Sequence, residues 1–371
     1  MLVPKGCLGK GPPDGKLAFF NWRGKVVRDF TVLAYDAYSE AFPEPFSFAD
    51  PLAGVGARSI RVALECKKSG HLFVNDVNPL AMEAARLASQ RNGVHGKMSF
   101  HAEEAGLFLA ELSGRRERVD IVDIDPFGTP APYVEPALRA LKDGGLLSVT
   151  ATDTAILCGI HPQVAFRKYL GVPLRSEYCV EVGLRLLLAM VVRKGLAFDM
   201  APRPLFAHAD QHYMRVYCSF ELSASKANLA VGHLGYVLHC FKCGHREASP
   251  SAKERCGRCG GTMQAAGPLW TSDLHDSYFL KRMSASAREG PFLRFLTILD
   301  RASSEVGLPP YFFKLPKLTA ALKSPGHSPS KVVEELSKIG YRAAVSSVDP
   351  QGIKTDASIE EIIAILKASN P

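Results

Sequence analysis

The chain has 371 residues, 47% hydrophobic and 22% charged, an ordinary globular composition with length enough for two domains and separate cores. Its formal charge of +8 favours a polyanionic partner. The stretch 1–16 lacks the apolar core of a signal peptide, and Val182 to Phe198 is broken by Arg185, Arg193 and Lys194, so no membrane span is expected there and a cytoplasmic protein is.

From Phe46 to Thr150 short apolar runs alternate with helical patterns. Strand Phe46 to Asp50 leads to a helix near Arg58 to Glu65, and strand Leu72 to Asn75 to a helix near Pro79 to Arg91. A third strand ends at Phe100. Val119 to Ile124 precedes a helix near Tyr133 to Leu141, and Leu146 to Thr150 follows the turn Asp143-Gly144-Gly145. This rhythm predicts a doubly wound, Rossmann-like α/β sheet. The first turn carries Gly54 and Gly56, which let the backbone approach a ligand closely. Asp76, ending the second strand, is placed for ribose hydroxyls. A dinucleotide site asks for a third glycine and an anion site, but Ala57-Arg58-Ser59 follows Gly56. An adenosine cofactor without phosphate, S-adenosylmethionine, fits better. Glu103 and Glu104 either accept from the adenine amine or are acids stabilised at a helix amino end.

The fourth strand ends in Asp123-Ile124-Asp125-Pro126-Phe127-Gly128. Asp125 can accept from an amino group, the Pro126 carbonyl can accept beside it, and Pro126 has no N–H to compete. Phe127 offers a face on which a nucleobase stacks for roughly 1–3 kcal/mol. Together they read as a pincer for a base amine; the plain alternative is a Pro-Phe-Gly turn with Asp125 capping the loop. Asp123 either partners Asp125 from the same strand face or is a structural acid in the sheet.

Of nine cysteines, four form Cys240-x-x-Cys243 and Cys256-x-x-Cys259, twelve residues apart, each pair followed by glycine. That spacing predicts a structural zinc ribbon at about 236–263. Its cations Lys242, Arg246, Lys253, Arg255 and Arg258 suit phosphates or simply decorate a solvated loop. After Trp270 the pattern is helical near Phe292 to Glu305, Leu318 to Lys323 and Lys331 to Ile339. A short strand, Ala343 to Ser346, and a final helix, Ile359 to Lys367, complete a winged-helix-type or small α+β module. The small polar break Ser223 to Lys226 predicts two domains, 1–225 with the α/β sheet and 226–371 with the ribbon and the helical module.

The chain resembles the tRNA (guanine-26-N2)-dimethyltransferases of the archaeal and eukaryotic type. The residues that carry this are Phe19-Phe20-Asn21 with Arg28-Asp29, Leu52 to Arg61, Asn75-Asp76, Asp123 to Gly128, Val149 to Gly159 and Gly352 to Thr355. The resemblance implies methylation of the N2 amine of guanine 26 in tRNA, to N2-methyl- and N2,N2-dimethylguanosine. It implies donor contacts from Arg28, Arg58, Asp76, Glu104 and Ala105, where the family usually has Asp at the Glu104 position. It further implies Asp125 as the catalytic acceptor, with Phe19 and Phe127 shaping the guanine pocket. The partner expected is tRNA, with no membrane and no obligate protein partner. Methylation of another base amine, or an inactive zinc-ribbon RNA-binding protein, are the competing expectations.

Overall fold

The computed structural model describes residues 20–210, 212–324 and 326–368. Helix α1 (Lys25–Ser39) precedes β1 (Phe46–Asp50), α2 (Ala57–Glu65), β2 (Ser69–Asn75), α3 (Pro79–Arg91), β3 (Met98–His101) and α4 (Ala105–Gly114). Then come β4 (Val119–Ile124), α5 (Val134–Ala140) and β5 (Leu141–Ala151). The chain continues through α6 (Thr154–Leu157), α7 (Pro162–Tyr169), α8 (Cys179–Leu196), β6 (Met200–Asp210), β7 (Tyr213–Leu222) and α9 (Ala224–Val231).

Seven strands form one sheet in the order β3-β2-β1-β4-β5-β7-β6. The pairs β2–β3, β1–β2, β1–β4 and β4–β5 are parallel, so their carboxyl ends share one edge. The strand order reverses at β1, between β2 and β4. A doubly wound sheet opens its ligand crevice at that point. Phe46, Phe48, Ile121, Val122 and Leu146 are wholly buried, as expected of parallel strands covered on both faces. The turn Asp143-Gly144-Gly145 lies inside β5. Opposite Leu141 and Leu146 stand Val119 and Ile121, so β5 accommodates extra residues as a bulge, with Gly144 at φ +72°.

Local signals start the helices. Asn78 accepts from the Leu80 N–H ahead of α3, with Pro79 in its first turn, and Glu104 accepts from the Leu107 N–H ahead of α4. Gly56 opens α2 at φ +70°, where an added Cβ would lie 2.8 Å from the Ala85 Cβ. This glycine serves helix packing as well as the turn.

Packing divides the molecule into two units. One runs to Thr150 and includes Tyr217–Leu222 and Lys281–Arg294; the other holds Ala151–Val216, Ser223–Leu280 and the chain from Phe295 onward. One crossing between the units falls between Leu222 and Ser223. There Ser223 Oγ caps α9, accepting from the Lys226 N–H at 3.4 Å.

Within the second unit, α8 is buried along nearly its whole length, and its Arg185 pairs with Glu181 at 2.8 Å. No helix among the described residues is long and apolar enough to cross a membrane. β8 (Leu234–His239), β9 (Arg246–Ser249) and β10 (Gln264–Trp270) form an antiparallel sheet. Helix α10 (Ser277–Glu289), which from Lys281 on belongs to the first unit, and α11 (Leu296–Ser304) follow. The last module comprises β11 (Phe313–Lys314), α12 (Leu315–Leu322), α13 (Pro329–Lys338), β12 (Ala343–Val345), β13 (Gly352–Thr355) and α14 (Ile359–Ala368). Its three-stranded antiparallel sheet, β11-β13-β12, packs Phe313 and Ile353 with Leu336, Ile362 and Leu366. Ser358 and Glu361 close α14 with a reciprocal capping box, Glu361 accepting at 2.6 Å and Ser358 at 3.4 Å.

Candidate active site and metal centre

The shared strand edge gathers the sequence-predicted acids of the first unit. The Asp76 carboxylate accepts from the Gly54 N–H at 2.8 Å and the Asn78 N–H at 2.9 Å, fixing the glycine turn against the end of β2. Asn75 ties the same edge together. Its side chain donates to the Pro51 and Glu103 carbonyls at 3.0 and 3.1 Å and accepts from the Glu103 N–H at 3.0 Å. Glu104 is exposed and its carboxylate caps α4, whereas Glu103 buries an oxygen, Oε2, with no partner among the described residues. Ala105 is buried in the first turn of α4.

Around the strand-order reversal stand three carboxylates and two guanidinium groups. Asp50 ends β1 wholly buried; one oxygen accepts from Ser59 Oγ at 2.8 Å and the other has no partner among the described residues. Burial pushes its carboxyl up to about 7; Arg58 opposes the shift, while Asp123 adds to it. Arg58, 7% exposed, donates from Nη1 to Asp123 at 2.9 Å and from Nη2 to Asp125. Asp123 is also wholly buried and accepts from the Tyr35 hydroxyl at 2.6 Å. Arg28 donates to the Asn21 carbonyl at 3.0 Å and lies 5.0 Å from the Phe20 ring centre. Burial lowers its guanidinium to about 10, helped by Arg58 and Arg61 and opposed by Asp125.

Beyond Asp125 the chain turns outward. Pro126 is buried, Phe127 is 64% exposed, and Gly128 takes φ +81°. Phe19 lies outside the described residues. Tyr35 and the charge role of Asp50 escaped the sequence reading. Asp50 is the last residue of the expected strand Phe46 to Asp50, but Tyr35 is 88 positions from the acid it binds and nothing local marks it.

In the second unit the four predicted ligands converge. The Sγ atoms of Cys240, Cys243, Cys256 and Cys259 all lie within 4.8 Å of one another. Cys240 and Cys259 are 3.5 Å apart, and Cys243 and Cys256 3.7 Å. Thiolates about 2.3 Å from a tetrahedral zinc stand roughly 3.8 Å apart, so the set fits that ion and leaves no open position. Both knuckles share one hydrogen-bond pattern. Gly244 donates to the Cys240 carbonyl at 2.8 Å and Gly260 to that of Cys256 at 2.9 Å, each glycine at positive φ, +79° and +67°. Beside the site, His239 is buried against the Phe241 ring, their centres 4.0 Å apart. Arg246 is not available to a phosphate. It is 6% exposed, paired with Glu177 and sandwiched by Tyr178 and Phe313 at 4.6 and 4.4 Å.

Parallel strands in the order β3-β2-β1-β4-β5, with an acid after β2, define a Rossmann-like α/β protein of the nucleoside-binding kind. The family model for N2,N2-dimethylguanosine tRNA methyltransferases matches residues 13–367, and the chain belongs to that family. It is 35% identical over 359 residues to a tRNA (guanine(26)-N(2))-dimethyltransferase of Methanothermobacter thermautotrophicus, covering 95% of this chain and 93% of the relative. It is 32% identical over 356 residues to an Aquifex aeolicus enzyme named for guanines 26 and 27, covering 93% and 88%. Among solved structures it resembles Trm1 from Pyrococcus horikoshii in complex with S-adenosyl-L-methionine. There the TM-score is 0.82 at 28% identity, over 98% of this chain and 96% of that one.

Proposed function

We propose that this chain transfers methyl groups from S-adenosylmethionine to N2 of guanine 26 in tRNA, giving N2-methylguanosine and then N2,N2-dimethylguanosine. The observation that carries the reading is Asp125-Pro126-Phe127 at the carboxyl end of β4, beside the strand-order reversal, in a chain of this family. Asp76 and Glu103 suit the adenosine of the donor. Each Asp76 oxygen keeps a lone pair beyond the backbone N–H it accepts, and Glu103 holds a buried acceptor without a partner among the described residues. Arg28, Arg58, Gly54, Gly56 and Ala105 complete the donor cradle. Glu104 joins it by releasing its cap on α4.

When bound, the donor supplies an electrophilic methyl carbon whose bond electrons return to its sulfur as the nitrogen–carbon bond forms. Asp125 and the Pro126 carbonyl accept the two amine hydrogens, drawing the nitrogen lone pair out of conjugation with the ring. Asp125 then takes the proton that the methylated nitrogen sheds. Phe127 and Phe19 hold the base. After one methyl a single N–H remains for Asp125 to grip, which suffices for the second transfer. Zinc in the four-cysteine site is structural, and residues 226–371 bind the tRNA from the cytoplasm, Lys242, Arg255, Lys323 and Lys331 being cations suited to its phosphates.

Labelled methyl donor and unmodified tRNA, followed by nucleoside mass analysis, test this reading. Label is expected in N2-methylguanosine first and N2,N2-dimethylguanosine later, at position 26. Asp125→Ala is expected to lower kcat at least 100-fold while calorimetric donor binding persists. Label in adenosine or cytidine, no label at all, or a fully active Asp125→Ala would overturn it.

A further inference from the structure

We infer that Asp123 and Tyr35 are positioning residues for methyl transfer, acting through Arg58 to set the place and the net charge of Asp125; the inference rests on the reading of Asp125 given above. Four side chains form one continuous chain: the Tyr35 hydroxyl donates to Asp123, Arg58 Nη1 donates to the other oxygen of Asp123, and Arg58 Nη2 reaches Asp125. The first three are closed to water, Tyr35 and Asp123 at 0% and Arg58 at 7% exposure, whereas the Asp125 side chain is 28% exposed. The chain therefore runs from the core to the accessible edge of the sheet.

Burying a carboxylate inside a parallel sheet is costly unless it is paired. Ile121 and Ile124 on the same strand are wholly buried, so an apolar residue suits the interior of β4. The acid at 123 has a use that packing does not explain. Were Arg58 bound to Asp125 alone, the pair would be neutral, and the carboxylate would be a poor acceptor for an amine hydrogen. Sharing one guanidinium between two carboxylates leaves the group with a net negative charge. Asp123, held by Tyr35, pins Nη1, and the planar fork of the guanidinium then fixes where Nη2 meets Asp125 Oδ2. Oδ1 is left to face the amine. Among the described residues, Arg28 from α1 also interacts with Arg58 and Asp125, and Asp50 from β1 with Arg58, Asp123 and Asp125. Neither replaces Asp123, because the Arg58–Asp123 contact is a direct one.

The test is steady-state and single-turnover kinetics of the full-length enzyme with unmodified tRNA and labelled donor. Asp123→Asn keeps the shape and removes the charge; kcat is expected to fall about 10- to 100-fold, with KM for tRNA and donor within about threefold. Tyr35→Phe is expected to lose about three- to tenfold in kcat, and the double variant no more than Asp123→Asn alone. In an Asp125→Ala background, Asp123→Asn is expected to add nothing, since its effect runs through Asp125. Should Asp123→Asn fail to fold, as judged by its thermal transition, Tyr35→Phe with and without Asp125→Ala makes the same comparison. A donor KM that rises while kcat holds, or an additive loss in the Asp125→Ala background, would overturn the inference. So would wild-type kcat in both Asp123→Asn and Tyr35→Phe while Asp125→Ala is inactive. If Asp125→Ala is itself active, the parent reading of Asp125 fails instead.

Discussion

Asp50 shows how burial alone can give a residue a pH signature. Its folded-state carboxyl is raised by burial from 3.8 to about 7. Between those values the native state holds a proton that the unfolded state has lost, so this group lowers stability as pH rises through the window. Asp50→Asn removes the titration and keeps an oxygen for the Ser59 hydroxyl. The stability of the variant relative to wild type is expected to climb by roughly 1.4 kcal/mol per pH unit from about pH 4 to 7 and then level off. Denaturant unfolding at several pH values measures this, and a difference that does not change with pH would refute it. At this scale the sequence marks residues whose chemistry is local. Asp76, Asp125 and Gly56 could be read from strand ends and turns. Glu103 and Glu104 could not be separated, because which of two adjacent acids caps the helix depends on where the first turn of α4 begins. Tyr35 was illegible, since its partner is supplied by β4.

The zinc ribbon is the element most completely written in the sequence. Two Cys-x-x-Cys-Gly knuckles specify their own hydrogen bonds and their positive-φ glycines, so the ligand set follows from spacing. Cys240→Ser is expected to lower bound zinc from roughly one per chain toward zero and to lower the thermal midpoint by several degrees. Elemental analysis with a melting curve checks this, and an unchanged zinc content would remove the structural ion. Strands were legible where apolar runs end in acids or glycines: β1 and β4 were expected over the residues they occupy. β5 was not, because the glycine pair read as a turn is absorbed as a bulge. A bulge and a turn share residue types and differ only in what the neighbouring strand offers.

At the scale of the molecule, one buried ionic cluster in the second unit joins residues from distant parts of the chain. Lys354 on β13 reaches Glu181 at 2.7 Å and Glu305 at 3.1 Å. Arg185 adds a second cation on Glu181 and donates to the Trp270 and Ser272 carbonyls at 2.9 and 2.6 Å. Burial pushes the Glu181 carboxyl up, but Lys354 and Arg185 outweigh it and hold it below the usual range. Lys354→Met leaves Glu181 and Glu305 short of a cation and is expected to lose about 3–5 kcal/mol of stability. A denaturant midpoint within error of wild type would show that the cluster relaxes without penalty. Lys354 lies in the Gly352 to Thr355 segment that helped mark the family, yet nothing in that segment names its partners. By itself the sequence determined the class of sheet, the order of its strand-end acids, the zinc ligands and the family, because each is carried by short-range spacing and residue type. Only the tertiary structure decided that Asp123 is shared between Tyr35 and Arg58, that Arg246 is buried beyond reach of a phosphate, and that Lys354 closes a buried cluster. Those roles depend on which charges meet where water is excluded, and that pairing is set by packing between segments far apart in the chain.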